Sequence, residues 1–142
     1  MAESQASRVS MTLDSSLDSV DRVEQAAEQL AKAAGIQEDD IYRITMAVRE
    51  AAVNAVLHGN AYDPSKHIHA SLENTGTSLV IRIADEGKGV DLEKLPDPLA
   101  PENLLRGSGR GIFLIRSFMD EVHFRHLHPG TEMTLIKHLD TK

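Results

Sequence analysis

Apolar residues in the first part of the chain recur at every second position and then change period. Residues 8–13 (RVSMTL) alternate polar and apolar, which predicts a short strand. Asp14, Ser15 and Ser16 then offer cap side chains to a helix in which Leu17, Val20, Val23, Ala27, Leu30 and Ala34 recur at helical spacing. Gly35 ends it, because glycine tolerates the left-handed conformation of a helix C-terminus. A second helix starts near residues 38–40, runs through Ile41, Ile44, Val48, Ala52 and Val56, and stops at His58-Gly59-Asn60. Asp63-Pro64 follows as a turn.

Alternation returns at residues 67–73, with Ile68, Ala70 and Leu72 on one side, and at residues 79–84, with Leu79, Ile81 and Ile83. Asn74-Thr75-Gly76-Thr77 joins the two as a hairpin. From residue 90 to residue 106 the pattern fails, and Pro96, Pro98 and Pro101 break any helix. A stretch of that length without periodicity, inside a compact domain, reads as a functional loop or lid. Residues 111–119 form a largely apolar helix, and residues 121–127 and 131–139 form two strands joined by His128-Pro129-Gly130. Strands in hairpins with helices inserted as blocks predict an α+β fold with a mainly antiparallel sheet covered on one face. The alternating strands leave the other face free to be solvated.

Composition narrows the class. The 142 residues fit one domain, residues 1–142, with one substantial core. Hydrophobic residues at 41% and charged residues at 26% do not describe a disordered chain. No apolar run approaches the roughly 20 residues that span a bilayer, and the first ten residues lack the basic-then-apolar order of a signal peptide. Cysteine is absent, so disulfides and thiolate chemistry are excluded. A formal net charge of −7 argues against direct nucleic-acid binding, which relies on Lys and Arg at phosphates. The expectation is a soluble cytoplasmic domain.

The candidate chemistry lies at three places. On the second helix Glu50, Asn54 and His58 stand four apart and so share one face, where a packing helix would hold Leu or Lys. Asp85-Glu86-Gly87-Lys88-Gly89 directly follows a strand: its glycines let a ligand approach the main chain, and Asp85 can accept a hydrogen bond from an exocyclic amine such as that of adenine. The same five residues would also make an ordinary tight turn. Gly107-Ser108-Gly109-Arg110-Gly111 leads into a helix, where consecutive N–H groups and the helix N-terminus favour an anion. No Gly-Lys-Ser/Thr follows, so it is not a Walker loop, and it follows a proline-rich loop and not a strand, so it is not a dinucleotide fingerprint. His67/His69 and His126/His128 are spaced like paired strand ligands, but no acidic or cysteine partner sits at a metal-site spacing, so zinc is not expected.

In order, a helical E-x-x-x-N, a strand-end D-x-G-x-G, a long loop and a G-x-G-x-G opening a helix correspond to the N box and the two glycine boxes. The chain therefore resembles the histidine-kinase-like ATPase (GHKL, Bergerat-fold) superfamily, and within it the anti-sigma-factor serine kinases. "REAAVNAVLHGN", "DEGKG", "PENLLRGSGRGIFLIRSFMDEV" and "GTEMTLIK" carry the likeness, which covers nearly the whole chain. The resemblance implies a two-layer α/β sandwich with a mainly antiparallel mixed sheet and helices on one face. It implies ATP and Mg²⁺ as cofactors, Glu50 as the catalytic carboxylate, and Asn54 as the Mg²⁺ ligand. ATP contacts would come from Asn54, Asp85, Gly87, Gly89, Gly107, Ser108, Gly109, Arg110, Gly111 and Thr131, with residues 90–106 as the ATP lid. Arg106 and Arg110 flank the second glycine cluster, where either could neutralise charge on the γ-phosphate or equally be a surface residue. Gly107 departs from the acidic residue common in the group. His58 reads at least as readily as a helix-end imidazole matching the dipole as it does as a nucleotide contact.

The implied function is a serine/threonine kinase that binds a sigma factor and phosphorylates an anti-anti-sigma partner of the STAS type. It would act as a homodimer paired through its N-terminal sheet region. An ATP-binding regulatory module without kinase activity is the alternative. The catalytic half of a sensor histidine kinase is disfavoured, since no helix pair with a phosphoacceptor histidine precedes the domain.

Overall fold

The structure, a computed structural model, describes residues 7–87 and 107–139, with the side chains of 107–112 outside the description. In chain order the elements are β1 (Ser7–Asp14), α1 (Leu17–Ala33), α2 (Glu38–Val53), β2 (His67–Asn74), β3 (Ser78–Ala84), α3 (Gly107–Phe118), β4 (Glu121–His126) and β5 (Thr131–His138). A π-helical segment, Asn54–Gly59, continues α2.

Local chemistry explains the helix ends. The Ser19 N–H donates to Ser16 Oγ at the start of α1, and Asp18 and Lys32 sit at the ends of the helix dipole that suit their charges. Gly35, at φ +81°, takes the left-handed position beyond α1, and the Ile36 N–H turns back to Ala31 O at 3.2 Å. Glu38, Asp39 and Asp40 place three carboxylates in the first turn of α2. α2 packs against both α1 and α3. Across the outer edge of the α1–α2 contact, Arg49 Nη1 reaches Asp21 at 2.8 Å and Glu24 at 2.9 Å.

The sheet runs in the order β1-β2-β3-β5-β4, and every pairing is antiparallel. No parallel pair of a mixed sheet occurs among the described residues. Leu72, Ile81 and Leu135 lie in one row across three strands, and Ala70, Ile83 and Met133 lie in the next. These residues are buried with Val23, Ile44, Val48 and Ile115 of the helices, so the helical layer covers this face. Ser10, Ser71, Arg82 and Thr134 form a row on the opposite, more polar face.

Two boundaries differ from the sequence expectation. The second helix ends in π geometry, and α3 begins at Gly107, so the second glycine cluster forms its first turns. Glycines cost a helix about 1 kcal/mol each relative to alanine. Burial of Ile115 and Met119 against the core supports α3 in spite of them.

Ile81 stands fully buried on the central strand, so Ile81→Ala should leave a cavity and lower unfolding free energy by about 2–5 kcal/mol. Urea denaturation of the two proteins checks this; a loss below 1 kcal/mol would mean that the sheet and helical layer are not packed at this row.

Candidate functional site

Glu50 lies in the last turns of α2, and Asn54 opens the π segment one turn later. Both side chains are half-buried and have no hydrogen-bond or ion-pair partner among the described residues. A carboxylate and an amide one helical turn apart, left unpaired, are free to meet a ligand. The Asn60 N–H closes the π segment onto Ala55 O, five residues back, at 2.8 Å. Ala61 and Tyr62 then take φ of 52° and 59°, a left-handed pair that reverses the chain. The wider π turn aims the residues after it differently from an α-helix, and such turns often mark functional sites. His58, near its end, is exposed.

That reversal delivers Gly59 to the end of β3. Asp85 is 8% exposed, and its Oδ1 accepts two main-chain hydrogen bonds, from Gly87 N at 3.0 Å and from Thr131 N at 3.2 Å. The Asp85 N–H in turn donates to Thr131 O at 3.0 Å. Oδ2 keeps no donor among the described residues. Beside it, Thr131 is 9% exposed, and its Oγ1 is buried without a partner among the described residues. The packing depends on absent side chains. A Cβ on Gly59 would strike the Asp85 carboxylate, one on Gly87 would strike Gly59 O, and one on Gly130 would strike Asp85 O. Burial pushes the Asp85 carboxyl above the ordinary carboxylate range, opposed by the N–H groups of Gly87 and Thr131.

Glu86, next to it, turns outward. Its carboxylate meets His69 Nε2 at 2.7 Å and accepts the His67 N–H at 2.9 Å, and these bonds hold its pKa below the usual value. The acidic partner that sequence spacing did not reveal for His67 and His69 is thus Glu86. A second such pairing joins His123 and His138 to Glu121, at 3.0 and 2.7 Å. Neither pairing forms a group of three or more metal-ligating side chains suited to an ion among the described residues.

Of the residues expected to form the site, Asp85, Gly87 and Thr131 meet in one hydrogen-bonded unit, and Glu50 and Asn54 share the helix that leads into it. Gly107, Gly109 and Gly111 belong to the first turns of α3, which packs on α2. Gly89, Arg106 and the lid at residues 90–106 lie outside the described residues, as do the side chains of Ser108 and Arg110. Gly59, Asn60 and Gly130 were missed as site residues. Sequence marks them as a helix stop and a turn, and nothing in their spacing says that they face Asp85.

Residues 13–137 match the family described as the histidine kinase-like ATPase domain. The chain belongs to this family. Among its relatives, the anti-sigma F factor of Anoxybacillus flavithermus is 38% identical over 106 residues, covering 71% of this chain and 71% of that protein. The serine-protein kinase RsbW of Staphylococcus epidermidis is 32% identical over 140 residues, covering 92% of this chain and 86% of that protein. A crystal structure of the RsbU and RsbW domains of a Mycobacterium tuberculosis protein superposes with a TM-score of 0.63 at 22% identity. That alignment covers 92% of this chain and 32% of the larger one, and it shows the shared fold. The histidine-kinase-like ATPase architecture expected from the two glycine boxes is therefore the one observed.

The raised pKa of Asp85 fixes the sign of a stability test. Its ionised form is less favourable folded than unfolded, so the cost is present above the folded pKa and absent below the ordinary carboxylate pKa. Asp85→Asn should therefore raise the melting temperature of the ligand-free protein at neutral pH, with the gain disappearing towards pH 3. Thermal unfolding across that range checks the prediction, and a variant less stable than wild type at pH 7 would contradict it.

Proposed function

We propose that this domain is an ATP-dependent serine/threonine protein kinase that acts as an anti-sigma factor, binding a sigma factor and phosphorylating an anti-anti-sigma protein of the STAS type. The observation that carries the reading is the buried, unpartnered Thr131 Oγ1 next to Asp85, whose Oδ2 has no donor among the described residues. Buried polar groups are normally hydrogen-bonded, so a buried hydroxyl left open beside an open carboxylate oxygen points to a ligand with matching groups. An acceptor beside a hydroxyl fits the amine-and-ring-nitrogen edge of adenine. The names of the relatives, anti-sigma F factor and serine-protein kinase, support the rest.

Adenine would lie against Asp85, Gly87 and Thr131, with its phosphates extending towards Gly89 and the Gly107–Gly111 turn, where Ser108 and Arg110 contact them. Asn54, a neutral oxygen donor without a side-chain partner, suits Mg²⁺, a hard cation that takes few protein ligands. When bound, Mg²⁺ neutralises charge on the phosphate oxygens. Glu50, one turn earlier, orients the acceptor serine hydroxyl and takes its proton. The hydroxyl oxygen bonds to the γ-phosphorus, the bond to the β–γ bridging oxygen breaks, and ADP leaves with that electron pair.

No helix among the described residues is long and apolar enough to cross a membrane. A cytoplasmic site of action is part of the proposal, as is a homodimer formed through the N-terminal sheet region. In support of the dimer, β1 is an edge strand, Val9 on it is 46% exposed, and a groove of about 420 Å³ lies between β1 and α1, lined by Val9, Met11 and Leu30.

Labelled ATP supplied with candidate STAS partners tests the kinase reading. Glu50→Gln should slow phosphoryl transfer by about 10²–10⁴-fold while ATP affinity changes little. Asn54→Ala should weaken Mg²⁺-dependent ATP binding and transfer together. Transfer by Glu50→Gln at the wild-type rate would remove Glu50 as the base, and no transfer by wild type to any partner that it binds would favour a regulatory module. In calorimetry, Asp85→Asn should cost ATP about 1.5–3 kcal/mol of binding free energy. Unchanged affinity would take Asp85 out of the site.

A further inference from the structure

Asn60 is 1% exposed, and every polar position of its amide group is used. Oδ1 accepts the Glu86 N–H at 2.8 Å, while Nδ2 donates to His67 O at 2.9 Å and to Ser15 Oγ at 2.8 Å. Ser15 Oγ donates onward to Lys66 O at 2.7 Å. One side chain at the end of the π segment thus ties the β1–α1 turn, the start of β2 and the strand-end loop together. The residue it holds in that loop is Glu86, whose neighbours on either side are Asp85 and Gly87.

A surface asparagine at a helix end would solvate its amide, and a burial-driven one would cap its own helix. This one makes neither contact. Its side-chain carbonyl reaches 26 residues along the chain to the peptide between Asp85 and Glu86. Fixing that peptide N–H fixes the plane from which the Asp85 side chain springs, while Gly59, immediately before Asn60, abuts the carboxylate. The same run of chain carries Asn54 six residues earlier.

We propose that Asn60 is a positioning residue for purine selectivity. It touches no nucleotide, and through the Glu86 N–H it holds Asp85 Oδ2 where it discriminates a 6-amino purine from a 6-oxo purine. This inference rests on the adenine reading above. Without Asn60 the Asp85–Glu86 peptide is free to tilt, and the carboxylate loses its alignment with the exocyclic amine. The alignment matters only for a ligand that has the amine, so the loss should fall on ATP and spare ITP.

The test measures ATP and ITP affinities by calorimetry on the whole chain, with amide exchange at Glu86 followed by NMR. Wild type should prefer ATP by about 10–100-fold, the value of a hydrogen bond to a charged acceptor. Asn60→Ala should reduce that ratio towards 1, with most of the change in ATP affinity, and should speed exchange at Glu86. Asn60→Asp keeps the oxygen that accepts the Glu86 N–H, and should keep most of the ratio although it loses the Nδ2 donors. Ser15→Ala breaks the other arm of the network, so it should lower stability and leave the ratio and the Glu86 exchange unchanged. If Asn60→Ala does not fold, Asn60→Ser, polar but too short to reach Glu86, replaces it with the same expectation. A ratio preserved in the Asn60 variants, with ATP and ITP affinity falling together or not at all, would overturn the proposal and leave Asn60 a purely structural staple. A wild type without any preference for ATP would instead overturn the adenine reading itself.

Discussion

Asp85 Oδ1 accepts N–H bonds from Gly87 and Thr131, and much of the surrounding chain is arranged so that those two bonds can form. A half-turn after β3 must fold back on its own strand end, β5 must begin beside it, and the helix that precedes β2 must end against it. All three approaches are too close for a Cβ, which is why Gly59, Gly87 and Gly130 stand at the contacts. The cost is a buried carboxylate whose charged form is disfavoured by desolvation. Two main-chain donors offset only part of that cost, because the second carboxylate oxygen is left without one.

The polar groups around this point divide into two kinds. Asn60 and Ser15 are buried and fully partnered, and they bind three segments of chain into one unit. Thr131 Oγ1 is buried and unpartnered, and Asp85 Oδ2, on a largely buried side chain, has no donor among the described residues. A satisfied network rigidifies its surroundings, and an unsatisfied pair held by rigid surroundings keeps its energy for a ligand. The π turn is what lets the two kinds sit side by side. It ends the helix that carries Glu50 and Asn54 at the place where Gly59 meets Asp85 and Asn60 meets Glu86.

Hydrophobic periodicity was enough to locate β1, α1, α2, β2, β3, β4 and β5 to within a residue or two. Each of these elements buries one face, and a buried face imposes a period of 2 or 3.6 on the residues that form it. The three motifs were legible for a related reason: glycine and Asp, Asn or Glu at fixed spacing are local requirements of a chain that turns around a ligand. Glu50, Asn54, Asp85, Gly87 and Thr131 could be picked out from these requirements and from the resemblance that they carry.

Strand order, the π geometry of residues 54–59 and the work of Gly59, Asn60, Glu86 and Gly130 could not be picked out in this way. The placement of β5 between β3 and β4 depends on which hydrophobic faces fit together, and each strand's own pattern is the same in either position. Asn60 looks like any helix stop, because its partners, Ser15, His67 and Glu86, are separated from it by 45, 7 and 26 residues. His67 and His69 looked unpartnered for the same reason, since Glu86 comes to them from the end of the neighbouring strand. The amino-acid sequence by itself determined the elements, the α+β class and which residues are candidates for the proposed chemistry, because these depend on neighbours within a turn or two. Only the tertiary structure decided which of those residues meet and which polar atoms are left open, because hydrogen bonding between distant segments exists only after the layers have packed.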